Sequence, residues 1–179
     1  SLYDESYPQQ LKDIYDPPIS IFVKGNVENL KEKLVAVIGC RQATEYGLKA
    51  AKYFGYQLAR NGINIVSGLA RGVDSYSHVG NICAKKEESY KHVDNLSTVG
   101  KPIAVIGCGL DIIYPKENKE LEKEILNVGG TIITEYPLGT EPNKFNFPAR
   151  NRIISGLSKG VLVIEAKKKS GTLITVDFA

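Results

Sequence analysis

The residues best suited to chemistry gather late in the chain. Residues 147 to 157 read Phe-Pro-Ala-Arg-Asn-Arg-Ile-Ile-Ser-Gly-Leu, with Lys144 and Phe145 just upstream. Arg150 and Arg152 flank Asn151 at the opening of an apolar helical segment, a buried-strand pattern follows at 161–164, and Ser170-Gly171 precedes another apolar segment. Positive charge and free backbone N–H groups would then converge at two successive helix starts, which seats phosphates without a metal. Phe145 and Phe147 alternate around Asn146, so in an extended segment they share a face. One gives a base a platform to stack on, and the other plugs the core. Basic side chains interleaved with an aromatic are what single-stranded nucleic acid binding requires. Lys167-Lys168-Lys169 is by itself a solvated charge run, but it borders Ser170-Gly171 at the same edge.

Other chemistries find less support. No G-x-x-x-x-G-K-[ST] occurs, and Gly39 is followed by Cys-Arg-Gln-Ala-Thr-Glu-Tyr-Gly47 in place of G-x-G-x-x-G. The second apolar run ends in Ser67-Gly68 where a ribose site would place Asp or Glu. ATPase and nucleotide redox chemistry are therefore not expected. His78 and His92 are the only histidines and read as structural or exposed. Glu135 and Glu165 follow neighbouring or near-neighbouring strand ends and could form a carboxylate pair, but bonding to the amides or arginines that shape the crevice is favoured. No catalytic set, cofactor or metal site is expected. Cys40, Cys83 and Cys108 lack C-x-x-C spacing and read as reduced thiols of a cytoplasmic protein.

These residues need a scaffold, and five apolar runs supply one: 35–38, 63–66, 103–106, 131–134 and 161–164. Each is rich in β-branched residues and apolar on both faces, as strands buried between helical layers are. Between the first two, Tyr46, Ala50, Ala51, Phe54 and Leu58 recur at helical spacing; later, Leu121, Ile125 and Val128 do the same. The expected fold is a single-domain α/β structure, an extended Rossmann-like, doubly wound, mostly parallel sheet. Ligands of such sheets bind at the carboxyl ends of the strands. Residues 1–30, with Tyr7-Pro8 and Asp16-Pro17-Pro18, form a lead-in arm whose Ile19 to Val23 segment could be an edge strand, and 31–179 form the binding domain. Residues 85–101 read as a polar surface insertion. The chain is expected to be a fragment, with the end of a helix and a strand lying beyond Ala179.

The 179 residues carry a net charge of only +3, but it is unevenly placed. Lys144, Arg150, Arg152, Lys159 and Lys167 to Lys169 face only Glu141 and Glu165, whereas residues 111–135 are mainly acidic. One face is thus suited to a polyanion. No run approaches a membrane span, and no membrane contact is expected.

Taken together, the motifs resemble the DNA-processing protein A family (DprA, also called Smf) across nearly the whole chain. They are Tyr7-Pro8 with Asp16-Pro17-Pro18, Lys24-Gly25, and Val37-Ile38-Gly39-Cys40-Arg41 with Tyr46-Gly47. Then come Ser67-Gly68-Leu69-Ala70-Arg71-Gly72-Val73-Asp74 with His78, Gly109-Leu110-Asp111 with Tyr114-Pro115, and Glu135-Tyr136-Pro137. Phe147-Pro148-Ala149-Arg150-Asn151-Arg152 and Ser170-Gly171-Thr172-Leu173-Ile174-Thr175 complete the set. The resemblance implies a domain that binds single-stranded DNA in natural transformation, protects it, loads the recombinase RecA onto it, and dimerises. It implies DNA contacts at Gly39, Arg41, Lys144, Phe147, Arg150, Asn151 and Arg152. Cys40 stands where the family often has serine.

Two other readings stand beside it. One is a nucleoside-monophosphate-processing hydrolase on a related scaffold, but Lys169-Ser170-Gly171-Thr172-Leu173 lacks that class's double glycine and following glutamate. The other, a pure assembly scaffold, leaves the basic aromatic cluster without a role. Leu173, Ile174 and Phe178 either share an exposed helix face that makes a homodimer or pack on the domain's own sheet.

Overall fold

A computed structural model describes residues 1–90, 99–166 and 175–176. Six strands form one sheet in the order β1-β5-β4-β3-β2-β6: β1 (Phe22–Gly25), β2 (Leu34–Gly39), β3 (Asn64–Ser67), β4 (Pro102–Val105), β5 (Thr131–Thr134) and β6 (Val161–Ile164). All neighbours are parallel except β1, which runs antiparallel to β5 at the edge. The chain steps outward from β2 to β5, then crosses back to lay β6 on the other side of β2. The carboxyl end of β2 is therefore the place where the winding reverses, the usual crevice of such sheets.

The two faces of each strand bury into different layers. Ala36, Ile38, Val66, Ile103, Val105 and Ile133 pack with Ile153, Ile154 and Leu157 of α5 (Asn146–Leu157). Tyr7, Leu11 and Leu30 of the N-terminal arm complete that layer, and the Tyr7 hydroxyl donates to the Pro18 carbonyl at 2.7 Å. The arm includes the short helix α1 (Gln9–Lys12). On the opposite face Val37, Ile65, Ala104 and Ile132 meet α2 (Glu45–Arg60), α3 (Val73–Tyr90) and α4 (Lys119–Asn127). The doubly wound α/β sheet expected from the apolar runs is the fold observed.

Three local expectations are corrected. The edge strand begins at Phe22, later than expected after the two prolines, and keeps Lys24 and Gly25 in its ladder opposite Ile132 and Thr131. Helix α2 buries Gly47, Ala51, Gly55 and Ala59, while Tyr46 is 82% exposed and Phe54 41%. Close helix packing explains the small seam: a Cβ on Gly55 would lie 2.2 Å from the Ser77 carbonyl oxygen, and one on Gly80 2.0 Å from that of Lys52. Finally, 85–90 continues α3, and Val99 is buried against Ala59 and Ala84, so both ends of the expected insertion belong to these layers, while 91–98 lie outside the described residues. Ser170, Gly171, Lys167 to Lys169, Leu173, Ile174, Phe178 and His92 lie outside the described residues.

Candidate nucleic-acid interface

A cleft of about 680 Å³ opens over the carboxyl end of β2, between the turn after β3 and the first turns of α5. It gathers Gly39, Arg41, Lys144, Phe147, Arg150 and Asn151, six of the nine residues picked from sequence and separated by up to 112 positions (39 to 151). Arg152 is not among its lining residues. Gly39 is a packing requirement as well as a lining residue, because a Cβ there would sit 1.9 Å from the Ile164 carbonyl oxygen.

The rim is aromatic and cationic. The Arg41 guanidinium lies 5.5 Å from the centroid of the half-buried Phe147 ring, and the Tyr114 ring stacks on Phe147 at 5.2 Å with an interplanar angle of 25°. Lys144 Nζ lies 5.0 Å over the ring of Phe145, which is 70% exposed. Neither Arg41 nor Lys144 has a carboxylate in ion-pair contact among the described residues, although Glu141 also lines the cleft. The two phenylalanines do not share a face as an extended segment would place them. Helix α5 starts at Asn146, so residues two apart diverge by about 200°. Asn143 prepares that start, its carbonyl accepting from Asn146 N and its side chain from Phe145 N. Pro148 is tolerated because it falls in the first turn.

Below the rim, charge is consumed internally. Arg150 is 4% exposed, and its Nη1 donates to the carbonyls of Gly68 (2.8 Å) and Val105. Asp74, at 8% exposure, accepts from Gly68 N at 3.1 Å. Only glycine fits between them, since a Cβ on Gly68 would lie 2.7 Å from both Arg150 Nη2 and Asp74 Oδ2. Burial lowers Arg150 to about 10, opposed by the charge of Asp74, so it remains cationic at neutral pH. Burial also raises Asp74, opposed by Arg150 and by backbone donors.

Arg152, two residues on, points away from the cleft. Its Nη1 and Nη2 donate to the two Glu135 oxygens at 2.6 Å each, and its Nε to the Asp16 carbonyl at 2.8 Å. The hydrogen bonds to Glu135 raise its pKa further. Arg152 thus ties the arm to α5 and to the end of β5.

Glu165 accepts from Thr44 N at 3.0 Å and from Thr44 Oγ at 2.7 Å, filling the start of α2 with a carboxylate. Its φ of 55° and that of Leu69, 53°, place two non-glycine residues in the left-handed region beside strand ends of the site. Glu135 and Glu165 do not pair. β5 and β6 stand four strand spacings apart, about 19 Å. Each carboxylate instead serves an arginine or an amide, the favoured reading of the sequence. His78 is fully buried, and among the described residues neither its ring nitrogens nor the amide atoms of Asn81 have a hydrogen-bond partner; burial drops His78 from 6.5 to about 3. No group of His, Cys, Asp and Glu suited to a metal occurs among the described residues, and no helix among them is long and apolar enough to cross a membrane.

Tyr114, Arg71 and Asp74 stand within the sequence motifs, where residue type and spacing alone assign them no role. Tyr114 lines the cleft, and with Arg71 it also lines a narrower recess of about 50 Å³ behind Phe147. The signal was a tyrosine and an arginine following strand ends, the position the fold reserves for ligands.

Comparison with known proteins converges. The sequence model of the DNA recombination-mediator protein A family matches residues 1–179. The DNA processing protein DprA of Streptococcus pneumoniae is 45% identical over 179 residues, all of this chain and 58% of that protein. The X-ray structure of DprA from Streptococcus pneumoniae superposes with a TM-score of 0.85 at 43% identity, covering 99% of this chain and 57% of the other. A structure of DNA processing protein A from Helicobacter pylori, described for its single-stranded DNA binding mode, gives 0.79 at 31% identity, covering 96% and 72%. The chain therefore spans little more than half the length of its pneumococcal relative.

Proposed function

The chain belongs to the DNA recombination-mediator protein A family, and on that premise we propose that its cleft binds single-stranded DNA without strong sequence preference and without catalysis. The observation that carries this is the rim, where the Arg41 guanidinium lies over the Phe147 ring and Lys144 lines the same cleft. Aromatic faces accept any base, and cations beside them follow the backbone. The solved relative from Helicobacter pylori, named for its single-stranded DNA binding, supports the same occupant. Glu135 and Glu165 are each engaged in fixing the frame, which leaves the non-enzymatic reading ahead of a hydrolase.

We infer further the wider role that the family resemblance implies. The protein protects incoming single strands in natural transformation, loads RecA onto them in the cytoplasm, and acts as a homodimer. Loading is to be tested with the full-length protein, by RecA filament assembly on strands precoated with single-strand binding protein. For the domain itself, titration with single-stranded and duplex DNA across a salt series is decisive. Tighter binding to the single strand, with log affinity falling linearly against log salt, is expected. Salt-independent binding, or a preference for duplex, sinks the reading.

A further inference from the structure

We propose that the strand-binding path continues past Phe147 over Tyr114 and Arg71, which form a further nucleotide subsite above the ends of β3 and β4. The proposal rests on the single-stranded DNA reading above. Its evidence is local geometry. Tyr114 is 43% exposed, and its ring stacks on Phe147, with 5.2 Å between centroids and 25° between planes. Tyr114 lines both the main cleft and the recess behind it, so it stands where the two spaces meet. Arg71 lines the recess too, its side chain 66% exposed.

Around this recess stand two aromatic–cation pairs, Phe147 with Arg41 and Tyr114 with Arg71. A base on Tyr114 would place its phosphate toward Arg71, as a base on Phe147 places one toward Arg41. Arg71 is held by Glu117, whose side chain is 49% exposed. An ion pair so open to water contributes little, so a phosphate can take the place of Glu117. That exchange leaves Arg71 oriented in the absence of DNA and available in its presence. Among the described residues the Tyr114 hydroxyl makes no hydrogen bond, which leaves the ring face as its contribution.

The test is fluorescence anisotropy of this chain with thymidine oligomers spanning roughly 4–16 nucleotides. The parent should gain affinity as the oligomer grows long enough to reach the subsite. Tyr114→Leu should remove that gain, weakening the longer oligomers about 5- to 150-fold, the range of one lost base stack, while matching the parent on the shortest oligomer that binds. Tyr114→Phe should retain the gain. Arg71→Ala should lower the salt slope by about one on long oligomers only. Should Tyr114→Leu fail to fold by thermal melting, the Arg71→Ala slope decides alone. Variants equal to the parent at every length overturn the subsite and leave the function intact, as does an equal loss at every length, which would make Tyr114 a prop for Phe147. A parent that binds no oligomer overturns the function reading and the subsite with it.

Discussion

On the rim of the cleft Arg41 is exposed, bonded to no carboxylate among the described residues, and laid over Phe147, whereas on the floor Arg150 is 4% exposed and donates to two carbonyls beside Asp74. The residue type is the same and the chemistry is not. A buried cation offset by a buried carboxylate adds little field outside, but it locks the turn after β3 to α5. An exposed cation beside an aromatic ring adds nothing to the lock and remains available to a phosphate. The floor is therefore expected to govern whether the cleft exists, and the rim what it holds.

The strongest way to break this division is Arg150→Ala. It strands the Asp74 carboxylate in the interior, so unfolding stability should fall by about 3–5 kcal/mol in a denaturant titration. A variant as stable as the parent, with a salt slope of DNA binding reduced by about one, would move Arg150 to the rim.

Acidification probes the same buried layer through His78, one turn beyond Asp74 on α3. Its folded pKa is depressed to about 3 from 6.5. The unfolded chain therefore binds the proton first, and stability present above pH 6.5 is lost as pH falls toward about 3. Between pH 6.5 and 5 the loss from this group should reach about 2 kcal/mol. His78→Leu should flatten that slope; an unchanged slope would show that the acid sensitivity lies elsewhere.

Rim substitutions should leave stability nearly unchanged and separate from one another by salt. Phe147→Ala should weaken DNA binding by about 1–3 kcal/mol with the salt slope retained. Lys144→Ala should have the smaller effect on affinity, greatest at low salt, and lower the slope by about one. If Phe147→Ala also unfolds the domain while Phe145→Ala weakens binding alone, the stacking role passes to the exposed Phe145.

The sequence made the layers legible because apolar runs alternate so regularly with helical segments, and it brought Gly39, Arg41, Lys144 and Phe147 to one strand-end crevice. It could not divide Arg150 from Arg152. A run of Arg-Asn-Arg reads as one patch, but at about 100° per residue the helix turns the first toward the floor and the second toward Glu135 and the arm. Nor could it order the strands. Only the return of the chain to the far side of β2 separates Glu135 from Glu165.

The carboxylate of Glu165 at the start of α2 has one more effect, on competition inside a cell. In dinucleotide-binding domains the equivalent helix start receives the pyrophosphate. Here a resident anion already holds Thr44, so an arriving triphosphate meets like charge where it would otherwise find open amides. Free nucleotides should then displace bound DNA no more than the ionic strength they add would do. A competition titration against matched salt reads this directly, and displacement by nucleotide beyond the salt control would reject it. A cleft so arranged is expected to ignore the monomer and answer to the polymer.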